Sequence, residues 1–398
     1  MALKKSWRWF GEKDPVRLSW LAQMGVEGVV TSLHHMPPGE AWRCKDIKQV
    51  KTKIQSQGLT WNVVESLPVA EGIKVHSSDY ERLIENYILS LKALSENEIN
   101  TVCYNFMPVL DWARTDMEYK LPNGGMSMKF DYAMFAAFDI YILKRPHAKK
   151  DYNDETIIKA KELFQGLSKE QQNNLSYNII VVTQAFIHGN VTDSPEYKSH
   201  FFKRLEEYAE IDKFQLRRNL NCFLDDILPY AEKYGINMAI HPDDPPFSLL
   251  GLPRIVSTIE DLNWIFSVNN SKANGLTLCS GSLSVGNEDV CKIAKLFSDK
   301  IKFAHLRNNE MTGYRTFYES GHLEGIVDMV ELVNILLNEQ KLRQKAGLEH
   351  DIPIRPDHGI SILQDEALHC NPGYPLYGRF KGLCELTGIE KAILDRYQ

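Results

Sequence analysis

Eight short apolar runs, most of them separated by stretches of helical periodicity, constrain this chain more than any other feature. They are Ser6–Phe10, Val26–Leu33, Leu59–Val64, Thr101–Phe106, Asn237–His241, Gly275–Cys279, Ile301–Leu306 and Ile352–Arg355. Strands that alternate with helices pair in parallel, because the chain must cross back before each new strand. Eight such units predict a closed (β/α)8 barrel in the α/β class. The helical stretches include Asp46–Ser56, Asp79–Leu94, Leu216–Tyr234 and a closing one at Leu383–Leu394. Leu83, Ile84, Tyr87, Ile88 and Leu91 share one face of the second. Asp14-Pro15 reads as N-cap and first residue of an earlier helix that Gly25 ends.

The rhythm breaks once. Residues 107–214 are polar and lack the strand–helix period, but contain helix-like stretches at Glu155–Phe164 and Phe201–Ile211 and a turn signal at Asn123-Gly124-Gly125. A structureless loop of that length is improbable. The segment is expected to be a helical insertion after the fourth strand of one 398-residue domain, serving as a lid or an oligomer contact.

In such a barrel the active site lies at the C-terminal ends of the strands. Four of the runs end at, or just before, a good ligand for a divalent transition ion: His241, Cys279, His305 and Asp357. Each taken alone has a structural reading, a buried cysteine as a small hydrophobe or a histidine with a satisfied core role. Their coincidence at strand ends points to one metal site. Asp357 is followed by His358, which can act as a general acid or base near neutral pH. Tyr374, in the turn Asn371-Pro372-Gly373-Tyr374, can present a phenol, with packing as the alternative. Arg307 lies two residues past His305 and can clamp a carboxylate or pair with a neighbouring acid; Arg355 is equally ambiguous. Asp243 and Asp244 can support His241 or form an ordinary turn. His34, His35, Glu65, Tyr104 and Asn105 are polar groups at strand ends, suited to sugar hydroxyls or to capping bonds.

The net charge of −6 and pI near 6.1 argue against a general nucleic-acid surface. No apolar run reaches the length of a membrane span, and the N-terminus lacks a signal-peptide core. Seven scattered cysteines without a C-x-x-C pair favour reduced thiols in the cytoplasm. There is no P-loop, no G-x-G-x-x-G after the first strand and no G-x-S-x-G elbow.

These motifs, in this order, resemble the mannonate dehydratase family. The resemblance runs nearly end to end. It is carried by Trp7-Arg8-Trp9-Phe10-Gly11, Leu33-His34-His35, Val64-Glu65-Ser66 and the run from Val102 through Asn105 to Trp112. It continues through His241-Pro242-Asp243-Asp244-Pro245-Pro246, Phe303-Ala304-His305-Leu306-Arg307, Arg355-Pro356-Asp357-His358-Gly359 and Asn371-Pro372-Gly373-Tyr374. The resemblance implies a xylose-isomerase-like TIM barrel that dehydrates D-mannonate to 2-dehydro-3-deoxy-D-gluconate in hexuronate catabolism, using Mn²⁺ or Fe²⁺. It implies metal ligands at His241, Cys279, His305 and Asp357 and acid–base residues at His358 and Tyr374. A homodimer or higher homo-oligomer is a further family-level expectation. On softness alone, two histidines, a cysteine and an aspartate suit Zn²⁺ or Fe²⁺; only the resemblance favours Mn²⁺. The competing readings are a metal-dependent sugar isomerase, a phosphodiesterase acting on DNA, and a sugar-acid binding protein on a degenerate barrel.

Overall fold

The structure, a computed structural model, describes residues 2–184, 196–348 and 351–395. Eight parallel strands close into a barrel: β1 (Lys4–Arg8), β2 (Gly28–Thr31), β3 (Thr60–Glu65), β4 (Thr101–Tyr104), β7 (Asn237–Ile240), β8 (Asn274–Cys279), β9 (Ile301–Leu306) and β12 (Pro353–Pro356), with β12 pairing back on β1. Each coincides with an expected run to within a few residues, so the (β/α)8 architecture is as read. Closure leaves no open edge in this sheet. The barrel interior holds a small apolar layer, Val30, Val63, Cys103 and Phe303. A much larger apolar cluster fills the space between strands and surrounding helices.

Register brings the strand ends together. Cys279 on β8 stands beside His305 on β9, and His305 beside Arg355 on β12. His241 N–H donates to Tyr104 O at 2.9 Å, continuing the β4–β7 ladder by one residue. Asp357 N–H does the same to Leu306 O at 3.1 Å.

Four further strands form a separate antiparallel sheet in the order β10-β11-β6-β5: β5 (Asp116–Lys120), β6 (Met126–Phe130), β10 (Asn308–Gly313) and β11 (Thr316–Ser320). Residues 107–214 are therefore not purely helical. They open with the β5–β6 hairpin, turned at Gly124 (φ +87°), and only then run into helices such as Asp154–Gly166 and Tyr197–Glu206. A second apolar cluster joins these helices to Phe317 of β11. The helix Lys213–Tyr234, stopped by Gly235 in the left-handed conformation, returns the chain to β7. One expected cap differs: the first helix starts at Leu18 behind Arg17. The Asp14 carboxylate instead accepts the Phe10 and Val16 N–H groups at 2.8 and 2.9 Å, which ties down the turn before the helix. Among the described residues no helix is long and apolar enough to cross a membrane.

Candidate active site and metal centre

One ligand atom each from His241, Cys279 and His305 lie within 4.8 Å of one another. The hydrogen bonds decide which nitrogens are bare. His241 Nδ1 is 2.6 Å from Pro242 O, so it carries the proton and Nε2 is free to ligate. His305 Nε2 lies 3.2 Å from the Glu65 carboxylate, which leaves Nδ1 as its lone-pair nitrogen, with Arg355 Nη2 3.4 Å from it. His241 Nε2 and His305 Nδ1 then face each other at 3.3 Å. Two nitrogens bound to one ion at about 2.0–2.2 Å stand roughly 3.0–3.4 Å apart. Two lone pairs so placed repel unless a cation lies between them, and burial lowers the His241 pKa, which keeps the ring neutral as a ligand must be. The donor set fits a divalent transition ion. Asp357 is adjacent but outside this group of three: Oδ2 is 3.6 Å from Cys279 Sγ, while Oδ1 accepts from Arg355 Nη1 at 2.6 Å.

Burial by itself would raise the surrounding carboxylates, but guanidinium groups override it. Arg355, with His305 and Arg8, holds Glu65 well below the usual carboxylate range. Arg355, His358 and Arg307 do the same for Asp357. Arg114 and Arg307 likewise hold Asp244 well below the usual carboxylate range. These acids are anions at neutral pH, and their charge is already matched by arginines.

His358 and Tyr374 meet edge to face, ring centroids 4.8 Å apart. The pair is built by backbone contact: Gly359 N–H donates to Gly373 O at 3.0 Å, and Tyr374 N–H to Asn371 O at 2.9 Å. Both side chains are almost wholly buried. Burial raises the Tyr374 phenol, which therefore stays protonated at neutral pH. Trp112 closes the other side of His358, its ring 5.4 Å away. A narrow cavity of about 60 Å³ opens among His241, His305, Asp357, His358 and Tyr374, with Asn105, Glu65 and Arg307 also in its wall.

Other expected contacts lie elsewhere. Tyr104 turns away from the cavity, packing on Phe223 at 5.6 Å in the helix layer. The reason is strand alternation: Cys103 faces the barrel interior, so its neighbour faces out. His35 is exposed and His34 half-buried beside Phe10, and neither lines the cavity. Glu65 binds His305, Arg355 and Arg8, which makes it a support for a candidate ligand. Arg307 is on the side of the strand expected, but its guanidinium is already engaged by Asp244 at 2.6 Å and Glu319 at 3.2 Å. The sequence reading missed Glu319, Arg114, Arg8 and the wall residue Trp112. Glu319 accepts from Arg114 Nη2 at 2.7 Å and sits 2.9 Å from His358 Nδ1. The β-branched and aromatic run Thr316-Phe317-Tyr318, followed by Glu319, was the available signal for a strand presenting an acid.

Known proteins resemble this chain along its whole length. The mannonate dehydratases of Marinomonas sp. (strain MWYL1) and Chromohalobacter salexigens are 44% identical over 393 residues and 45% identical over 395. Each alignment covers 98% of this chain, and 98% and 99% of the respective relative. The crystal structure of mannonate dehydratase from Streptococcus suis serotype2 superposes with a TM-score of 0.77 at 31% identity, covering 100% of this chain and 95% of that one. A xylose isomerase domain protein from Planctomyces limnophilus, at 10% identity and a TM-score of 0.50, shares the fold alone. The D-mannonate dehydratase (UxuA) family model matches residues 3–398, and the chain belongs to that family of hydro-lyases.

Proposed function

We propose that this chain converts D-mannonate to 2-dehydro-3-deoxy-D-gluconate and water, a step of hexuronate (glucuronate) catabolism, with Mn²⁺ or Fe²⁺ held by His241, Cys279, His305 and Asp357. The observation that carries the reading is the convergence of two bare imidazole nitrogens and a thiol beside a buried His–Tyr pair, in a chain matched by that family from end to end. When bound, the divalent ion supplies Lewis-acid charge at the substrate carboxylate.

The reaction removes the proton on C2 and expels the hydroxyl on C3; the resulting enol tautomerises to the 2-keto acid. His358 takes the C2 proton and Tyr374 gives a proton to the departing hydroxyl. The raised phenol supports this division, since a phenol protonated at neutral pH acts first as a donor. Arg355 holds the ligand Asp357 and its neighbour Glu65 as anions, and Glu65 orients His305. Asn105 in the cavity wall is placed to meet a substrate hydroxyl. Arg307, tied to Asp244 and Glu319, adds fixed positive charge next to His358 without binding substrate itself. The seven free thiols suit a cytoplasmic enzyme, and we expect a homodimer or higher homo-oligomer.

Purified protein offered D-mannonate should form a 2-keto acid; turnover of an epimeric acid in preference to D-mannonate would overturn the substrate assignment. Asp357→Ala should lose metal and activity together, while His358→Ala keeps metal and loses activity. Metal loss in both would refute the division of roles.

A further inference from the structure

His358 Nδ1 is 2.9 Å from both oxygens of Glu319. Glu319 is on β11 in the accessory sheet, far from His358 in sequence and 3% exposed. Its carboxylate is fixed on its far side: Arg114 Nε and Nη2 donate to Oε1 at 3.1 and 2.7 Å, and Arg307 Nη1 at 3.2 Å. Arg114 is itself pinned by Asp244 and flanked by the Trp112 and Phe317 rings. Ser127 on β6 hydrogen-bonds the Glu319 carbonyl. Two hairpins from distant stretches of chain thus converge on one carboxylate–imidazole contact.

The geometry points to Glu319 as the positioning residue that fixes the tautomer and ring orientation of His358, an inference that rests on His358 moving a proton in the dehydration. An anionic carboxylate can only accept, so Nδ1 carries hydrogen and Nε2 is the bare nitrogen available for the C2 proton. Arg307 Nη1 also lies 2.7 Å from Nδ1. Were Nδ1 to accept from it, two ionised oxygens would face a lone pair at 2.9 Å, so the carboxylate decides the tautomer. On its own element His358 Nε2 faces Asp357 Oδ1 at 3.9 Å, and the Tyr374 and Trp112 rings close the remaining sides. The β5–β6 and β10–β11 hairpins, on this account, exist to hold one acid behind one base.

Glu319→Gln is the sharpest perturbation. The arginines all contact Oε1, so the amide oxygen takes that place and the amide NH₂ that of Oε2. Nδ1 then meets two donors, the amide NH₂ and Arg307 Nη1, against one neutral oxygen, which favours the opposite tautomer. The test uses the full chain loaded with a diamagnetic divalent ion for side-chain ¹⁵N NMR of its histidines, with His358 assigned by its loss in His358→Ala. Turnover and bound metal are measured on the active holoenzyme. The expected results are Nδ1–H in the native protein and Nε2–H in E319Q. The kcat of E319Q falls about 10²–10⁴-fold, the contribution of a positioned acid–base group, with metal content unchanged. KM stays within about threefold, since substrate contacts are untouched. Glu319→Asp should restore Nδ1–H and at least about tenfold of the lost kcat. Nε2–H in the native protein, full turnover in E319Q, or joint loss of metal and kcat that Glu319→Asp does not relieve would each overturn the inference. Full turnover in His358→Ala would overturn the proton-transfer reading itself, and is distinguished by the native tautomer remaining Nδ1–H.

Discussion

Replacing Gly281 by alanine should disable the charge network that backs the proposed catalytic pair. Gly281 lies in the short helix Ser280–Ser284 directly after β8. An ideal Cβ at that position would stand 1.9 Å from Arg307 Nε, 2.7 Å from Cζ and 2.8 Å from Cδ. Non-bonded heavy atoms need about 3.5 Å, so Arg307 must retreat by roughly 1.5 Å, and it is the middle of the side chain that has to move. Arg307 is 2% exposed and holds Asp244 at 2.6 Å and Glu319 at 3.2 Å, contacts that do not survive such a displacement. Breaking one partner out of a buried ion pair costs about 3–5 kcal/mol. Set against a total stability of roughly 5–15 kcal/mol, that loss is large. The assay is the urea-unfolding free energy of Gly281→Ala beside its turnover of D-mannonate. Turnover should fall by at least about tenfold, because His358 and Glu319 lose a shared neighbour. A variant within about 1 kcal/mol of the parent and fully active would refute the premise that this network is rigid.

Stability at acid pH should depend on Glu319: burial opposes its ionisation, but His358, Arg307 and Arg114 together bring its pKa from 4.5 to about 2. A depressed carboxylate stabilises the fold above its unfolded pKa and loses that contribution as pH falls through its folded pKa. About 3 kcal/mol should therefore vanish between pH 4.5 and 2 in the native protein. Unfolding free energies that decline in parallel in Glu319→Gln would contradict this. Tyr374→Phe should keep its metal and KM while kcat drops about 10²–10⁴-fold, as loss of a general acid requires; an unchanged kcat would remove the phenol from the chemistry. Tyr104→Phe should leave turnover alone and be neutral or stabilising by up to about 1 kcal/mol, since its buried hydroxyl has no hydrogen-bond partner among the described residues. A fall in turnover would return Tyr104 to the site.

The barrel was legible because its strands are short apolar runs that must be buried on both faces, and because helical periodicity separates most of them. The accessory sheet was not. Asn308–Gly313 is polar without alternation, and Asp116–Lys120 alternates but is polar and half-exposed. Each pairs with its own hairpin neighbour, while the β6–β11 pairing that makes one sheet of the two hairpins joins distant stretches of chain that no local pattern links. The same cause hid Glu319 and Arg114, whose importance lies in contacts across distant stretches of chain. The residues proposed as ligands were visible because barrel topology gathers strand ends at one mouth. Alternation within a strand, applied to Cys103, Tyr104 and Asn105, would have sent the tyrosine outward from the start. The position of Arg307 was readable from its spacing to His305, but its partners were not, because Asp244 and Glu319 reach it from other elements.

The most direct test of the account is a metal exchange. The protein would be stripped with chelator and reloaded separately with Mn²⁺, Fe²⁺ under anaerobic conditions, Zn²⁺, or nothing, and 2-keto acid formation from D-mannonate followed in each case. Turnover absent in the stripped protein and restored by Mn²⁺ or Fe²⁺ is the predicted result. Full turnover without metal, or none with any ion bound at His241, Cys279 and His305, would contradict it.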